Sequence, residues 1–237
     1  MQKMTLSQKG NFYELRDLAG DQELAGAVKK CVQAQKAAAS SHLKNQFIPE
    51  SNALRYVSPE ALEEILKTGK DINGIRTERE ISNVIVFNDK RYQEGVFGEE
   101  VAAARKQVDQ IISKQIGEVF EGERLDIHSS GFFLYPPQGY MSWHTNWQNP
   151  GWRLYVSYVE TPGKSFFRYK DPDSGKIITS ADQGLNVRLF KVSPERLLWH
   201  CIYSETYRYS LGYKIMKAPG IFQMLKRKLS KNFLGRK

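Results

Sequence analysis

Two cysteines in 237 residues, Cys31 and Cys201, lie 170 positions apart with no C-x-x-C pair. That spacing supports neither a disulfide framework nor a zinc ribbon. No run reaches the roughly 18 consecutive apolar residues that span a bilayer. The opening MQKMTLSQKGNFYELRD has no apolar core of the signal-peptide kind. A reducing, cytoplasmic setting without a transmembrane segment is expected. The chain also lacks internal repeats and any Pro-, Gly- or Ser-rich linker. One domain over 1–237 is therefore predicted, with 1–125 as mostly helical support, 126–216 as a β core and 217–237 as a basic tail. Hydrophobic content of 41% against 26% charged residues is ordinary for a packed globular chain.

The net charge of +9 is unevenly placed. Residues 217–237 hold Lys217, Lys226, Arg227, Lys228, Lys231, Arg236 and Lys237 with no acid, which leaves the rest nearly neutral. Phe222, Leu225, Leu229 and Phe233 form one stripe at helical spacing in this tail. The reading is a helix docked on its own protein, with an anionic partner, either a membrane surface or a nucleic acid, as the alternative.

The first half reads as helices. Leu24, Val28, Cys31 and Val32 recur at helical spacing, as do Val101, Val108, Ile111, Ile112 and Ile116. In SPEALEEILKTG, Ser58 is the N-cap, Pro59 the first helical residue and Gly69 the stop. SNVIVFN reads as a short buried strand. After Gly131 the texture changes to short aromatic and β-branched runs parted by Gly, Pro, Asn and Asp, the pattern of a sandwich or barrel. The fold predicted is a jelly roll buttressed by N-terminal helices.

The stretch GYMSWHTNWQNPGW holds His144 and Asn146. On a strand, residues i and i+2 face the same side, so both can point inward while Thr145 points away. His200 follows 54 residues after Asn146, enough chain for strands to leave and return. Two imidazoles and one oxygen ligand with open positions opposite make a facial triad for iron(II). Ordinary core or surface histidines are the competing reading. In RYSL, Arg208 and Ser210 are again i and i+2. A guanidinium facing a sandwich interior needs an anion, either a ligand carboxylate or an internal Asp or Glu.

In order and spacing, the segment from Gly131 to Ile215 resembles the iron(II)- and 2-oxoglutarate-dependent oxygenases, in particular their prolyl 4-hydroxylase-like branch. A tyrosine-bearing strand leads through a glycine turn to H-x-N in YPPQGYMSWHTN; RLYVSYVETPGKSFFRY follows, then GLNVRLFKVSPERLLWH and RYSL. The resemblance implies a double-stranded β-helix with His144, His200 and Asn146 as iron ligands. It implies Arg208 as the salt-bridge partner of the 2-oxoglutarate distal carboxylate, with Ser210 and Tyr135 as hydrogen-bond donors to it. The activity implied is a dioxygenase that uses O2 and 2-oxoglutarate to hydroxylate a second substrate, with succinate and CO2 formed. Protein side chains, nucleobases and small molecules all stay open as that substrate.

Asn146 departs from the family pattern, which has Asp or Glu there. An amide oxygen coordinates, but it is neutral. A cupin-like binding module that has lost its carboxylate ligand is the alternative, and a nucleic-acid-associated protein acting through its basic tail is a third. PGKS, at 162–165, reads as a hairpin turn and KDPDSGK as a turn. His42 and His128 read as surface or capping residues. Trp143, Trp147, Trp152 and Trp199 read as core and pocket wall.

Overall fold

The computed structural model describes residues 3–8, 12–42, 47–70, 82–87 and 98–219. Its strands are β1 (Phe12–Glu14), β2 (Ser82–Asn83), β3 (Ile85–Val86), β4 (Leu125–Tyr135), β5 (Gly139–His144), β6 (Gly151–Val159), β7 (Ser165–Lys170), β8 (Ile177–Ala181), β9 (Leu185–Val192), β10 (His200–Ser204) and β11 (Arg208–Lys217). The α-helices are α1 (Arg16–Ala19), α2 (Gln22–His42), α3 (Pro59–Thr68) and α4 (Gly98–Val119), with a 3-10 turn at Ala53–Val57.

Sequence chemistry accounts for the helix ends. The Ser58 Oγ accepts from the Ala61 N–H at 3.1 Å, which satisfies one free donor of the first turn of α3. Gly69 closes that helix at φ 68°, a left-handed conformation suited to glycine.

The strands form two antiparallel sheets, ordered β1-β9-β6-β11-β4-β3 and β2-β5-β10-β7-β8. From β4 to β11 the chain passes back and forth between them, and the last two strands insert between earlier ones, β10 between β5 and β7 and β11 between β6 and β4. That winding is a jelly roll, the double-stranded β-helix. The segment before residue 126, expected to be mostly helical, also supplies β1, β2 and β3 as sheet edges. PGKS carries the chain from β6 in one sheet to β7 in the other; it is a crossover between sheets, not the hairpin expected from its composition. KDPDSGK does close a hairpin, β7–β8, through an Asx turn in which Asp171 Oδ1 accepts from the N–H of Asp173 and of Ser174.

Strand alternation then sorts side chains into three cores. On β6, Trp152, Leu154 and Val156 pack with α2 and α4; on β11, Tyr209, Leu211, Tyr213 and Ile215 do the same. The alternate residues, Arg153, Tyr155 and Ser157 on β6 and Arg208 and Ser210 on β11, therefore turn into the barrel. Outside the five-stranded sheet, Tyr56, Val57, Leu62 and Ile65 pack on Tyr140, Trp143, Cys201 and Tyr203. Between the sheets lie Tyr135, Met141, Phe167, Tyr169, Phe190, Val192, Leu198 and Ile202. Trp143 and Trp152 thus belong to the two outer cores, where their Nε1 atoms donate to the carbonyls of Ser58 and Leu6.

Among the described residues no helix is long and apolar enough to cross a membrane. The tail helix expected after Pro219 lies outside the described residues.

Candidate functional site

His144 ends β5 and His200 begins β10, and the two are register partners. Further along, Met141 pairs with Ile202, so three steps on β5 match two on β10. This bulge lets Met141 and His144 face the same interior although they are three residues apart. The rings lie 4.1 Å apart between centroids at 55°. His144 Nδ1 donates to the Ser142 carbonyl at 2.7 Å, and His200 Nδ1 donates to the Leu198 carbonyl at 2.9 Å. A carbonyl only accepts, so each Nδ1 carries a proton and each ring turns its Nε2 away from that carbonyl. His200 is fully buried, stacked on Phe167 and flanked by Phe190 and Tyr155. Burial, then the neighbouring His144 and the Arg153 guanidinium, hold its pKa well below the usual histidine value, so its ring stays neutral.

Asn146 reaches the pair by a different route from the strand alternation expected. Because β5 stops at His144, Asn146 lies in a turn at φ 56°, and Thr145 is buried instead of pointing away. Asn is among the few residues apart from glycine that enter this left-handed region readily. The turn is closed by Asn149 N–H donating to the Asn146 carbonyl at 3.0 Å. Asn146 Nδ2 lies 3.4 Å from His200 Nε2, so the expected three side chains do meet. Among the described residues no three His, Cys, Asp or Glu side chains cluster. The donor set on offer is two imidazoles and an amide, which fits a divalent metal with a weaker, uncharged third ligand.

Arg208 begins β11 and is fully buried, with its guanidinium over the Tyr135 ring at 5.1 Å. Its Nε donates to Asp182 Oδ2 at 2.9 Å. Its two terminal nitrogens, Nη1 and Nη2, are buried with no hydrogen-bond partner. Of the two partners expected for this guanidinium, the internal carboxylate is present and takes the Nε edge, while Nη1 and Nη2 stay unpaired. Ser210 faces Ser157 across the β6–β11 pair, and the Ser157 hydroxyl is buried without a partner. Tyr135 is the register partner of Arg208, and its hydroxyl contacts Met141 Sδ at 3.9 Å, tying this end to the strand that carries His144.

Asp182 also accepts from Arg188 Nη1 at 2.5 Å and from the Ser165 hydroxyl at 2.6 Å. Two buried guanidiniums share this one carboxylate, so the cluster they form among the described residues carries one more positive charge than negative. Burial alone would raise the Asp182 pKa, but Arg208, Arg188 and Ser165 outweigh it and hold the carboxyl at about 2. A depressed folded-state pKa stabilises the fold above the ordinary carboxylate range, and that stability is lost as pH falls toward 2. A carboxyl-carbon NMR titration should therefore find Asp182 still ionised at pH 3. A midpoint at or above its ordinary 3.8 would refute this balance.

Asp182, Arg188, Ser157 and Arg153 escaped the sequence reading. Alternation within WRLYVSYV could have placed Arg153 and Ser157 inward; nothing local marks Asp182. His128 is exposed and paired with Asp126, while Trp147, beside Asn146, is half-exposed.

No protein-family model matches the chain, and no curated protein matches it. Several solved structures are similar to it at low identity. A Pseudomonas putida prolyl-4-hydroxylase is 10% identical, with a TM-score of 0.38 over 88% of this chain and 93% of that one. A Trichoplax adhaerens prolyl hydroxylase, solved with a hypoxia inducible factor peptide, is 13% identical, with a TM-score of 0.36 over 84% and 96%. A Burkholderia pseudomallei oxidoreductase of the 2OG-Fe(II) oxygenase family is 12% identical, with a TM-score of 0.39 over 49% of this chain; the match spans 59% of that protein's length. The assignment to a double-stranded β-helix stands on the strand order and register given above.

Proposed function

We propose that this chain is an iron(II)- and 2-oxoglutarate-dependent dioxygenase that hydroxylates a second substrate with formation of succinate and CO2. The observation that carries the reading is the Arg208 fork, buried and open on the same interior as two histidines presenting Nε2. A guanidinium in that state calls for a carboxylate. Arg208 binds the distal carboxylate of the dicarboxylic acid in a bidentate fashion, and the surplus charge it shares with Arg188 and Asp182 offsets the ligand's charge. Ser157 and Ser210 stand beside it as hydroxyl donors, and Tyr135 forms the wall. His144, His200 and Asn146 would hold the metal, whose chemistry is the activation of O2 coupled to decarboxylation of the keto acid. The carbonyls of Ser142 and Leu198 fix both ring orientations, and His200, kept neutral by its burial, has no proton to lose before it binds metal. Phe167, Phe190 and Tyr155 keep bulk water from the His200 side.

The uncharged Asn146 sets a specific expectation. Without the acid, the metal meets only neutral donors, so iron(II) binds loosely; with the dianionic acid in place the centre is neutral overall. Metal affinity should therefore depend strongly on 2-oxoglutarate, and Asn146→Asp should tighten metal binding in its absence by tenfold or more. Equal affinity of the two proteins in a metal titration would remove amide ligation from the account.

One contact favours a second reading. The 3.4 Å approach of the Asn146 amide to His200 Nε2 closes a His–Asn cluster that needs no metal, as in a binding module. Anaerobic addition of iron(II) and 2-oxoglutarate separates the two. The oxygenase develops a metal-to-ligand charge-transfer absorption and releases succinate in air. The binding module takes up the acid and does neither.

A further inference from the structure

A third guanidinium inside the barrel has no acid partner among the described residues. Arg153 is 5% exposed, and its β6 neighbours Trp152 and Leu154 occupy the helix-side core, so it turns inward. Its Nη2 donates to the Asn149 carbonyl at 2.5 Å. Asn149 closes the turn that displays Asn146, so Arg153 is braced against the segment bearing the third ligand. Its Nη1 is buried and has no hydrogen-bond partner.

The surroundings add positive charge without relieving it. Across β6 the register partners of Arg153 are Phe190 on β9 and Lys214 on β11. Phe190 lies 5.2 Å from the His200 ring, which puts Arg153 at the histidine end of the barrel. Burial, then the Arg153 guanidinium, draws the Lys214 ammonium below its usual pKa. The nearby side chains that would hold a metal are two imidazoles and an amide, none of them anionic. A buried cation in such company is costly unless an anion arrives.

We infer that Arg153 is a second anion-binding residue of this barrel, with Nη1 taking a carboxylate oxygen beside His144, His200 and Asn146. Arg153 and Val159, the register partner of Arg208, are six positions apart on β6, about 20 Å of backbone. The two guanidiniums therefore meet different carboxylates, which one diacid supplies only where both side chains extend toward each other along the barrel. Two sources supply the same chemistry: the keto-acid end of 2-oxoglutarate, or a carboxylate on the second substrate. Naming these sources rests on the oxygenase reading; the anion site does not.

The test uses the full chain stripped of metal in EDTA, with binding followed by calorimetry. The probes are 2-oxoglutarate and acetate, and the proteins are wild type, Arg153→Gln and Arg153→Lys. If one diacid reaches both guanidiniums, Arg153→Gln weakens 2-oxoglutarate at least tenfold and Arg153→Lys recovers part of the loss. If the second substrate supplies the carboxylate, 2-oxoglutarate is unaffected, and acetate binding to the 2-oxoglutarate-saturated protein weakens at least tenfold in Arg153→Gln. A folded Arg153→Gln that binds both probes within twofold of wild type overturns the proposal. Should that variant not fold, Arg208→Gln carries the test, because Arg153 then holds the open guanidinium. Acetate raises its melting temperature if the proposal holds and leaves it unchanged if not. Loss of the charge-transfer band with iron would count against the oxygenase alone, since none of these measurements involves metal.

Discussion

Asp182→Asn should cost about 3–5 kcal/mol of stability, the range for removing one partner of a buried charge network. Asp182 is fully buried and accepts from Arg188, Arg208 and Ser165 at once. An amide offers one acceptor oxygen and no charge, and its nitrogen would stand donor to donor with a guanidinium. Two buried cations would then share no anion. The backbone at this point is also part of the frame, since Asp182 N–H donates to the Ser165 carbonyl and the Gly163 N–H donates to that of Asp182. The crossover between β6 and β7 and the end of β8 would loosen together. Urea denaturation at pH 7 measures the effect. A loss below about 1 kcal/mol, within the range of an ordinary hydrogen bond, would mean that solvent or another group neutralises the guanidiniums.

Arg208→Gln should act in the opposite direction on stability and far more strongly on binding. If Arg208 served mainly as a structural partner of Asp182, its loss would destabilise by several kcal/mol, as for any broken buried pair. But Asp182 keeps Arg188, and the open Nη1 and Nη2 of Arg208 are buried without partners, so the substitution removes a surplus buried charge. Stability should hold or rise. Binding of 2-oxoglutarate should weaken about 100-fold, or near 3 kcal/mol, the scale for losing charge-assisted hydrogen bonds in a dry site. A residue whose removal spares the fold and abolishes binding is one kept for its ligand. Calorimetry with the acid and a denaturation curve on the same preparation decide it. Destabilisation with unchanged affinity would return Arg208 to a purely structural role.

How far these groups were legible differs by element. Ser58, Pro59 and Gly69 announce α3 because capping and left-handed closure are local chemistry, satisfied within one turn. The inward aim of Arg208 and Ser210 was readable too, because a period of two on a strand with one greasy face leaves the other residues facing the opposite side. Asn146 shows the limit. Alternation placed it inward as a strand residue, whereas the chain leaves β5 at His144 and brings the amide back through a left-handed turn. The three side chains still meet, but by another route. PGKS failed differently: its composition named a turn, but whether a turn returns to the same sheet or crosses to the other depends on strands that come later.

The sequence by itself determined the strand-rich second half, the helical buttress, the candidate histidines and the inward arginine of RYSL. Each of these follows from residues within a few positions of one another. Tertiary structure alone decided that Asp182 meets Arg208 across 26 residues, that Asn146 meets His200 across 54, and that Arg153 meets no acid among the described residues. Alternation tells which way a side chain points; only the winding of β4 to β11 between two sheets sets what stands opposite. The charge left inside the barrel is a sum over such partners, and no single stretch of chain contains it.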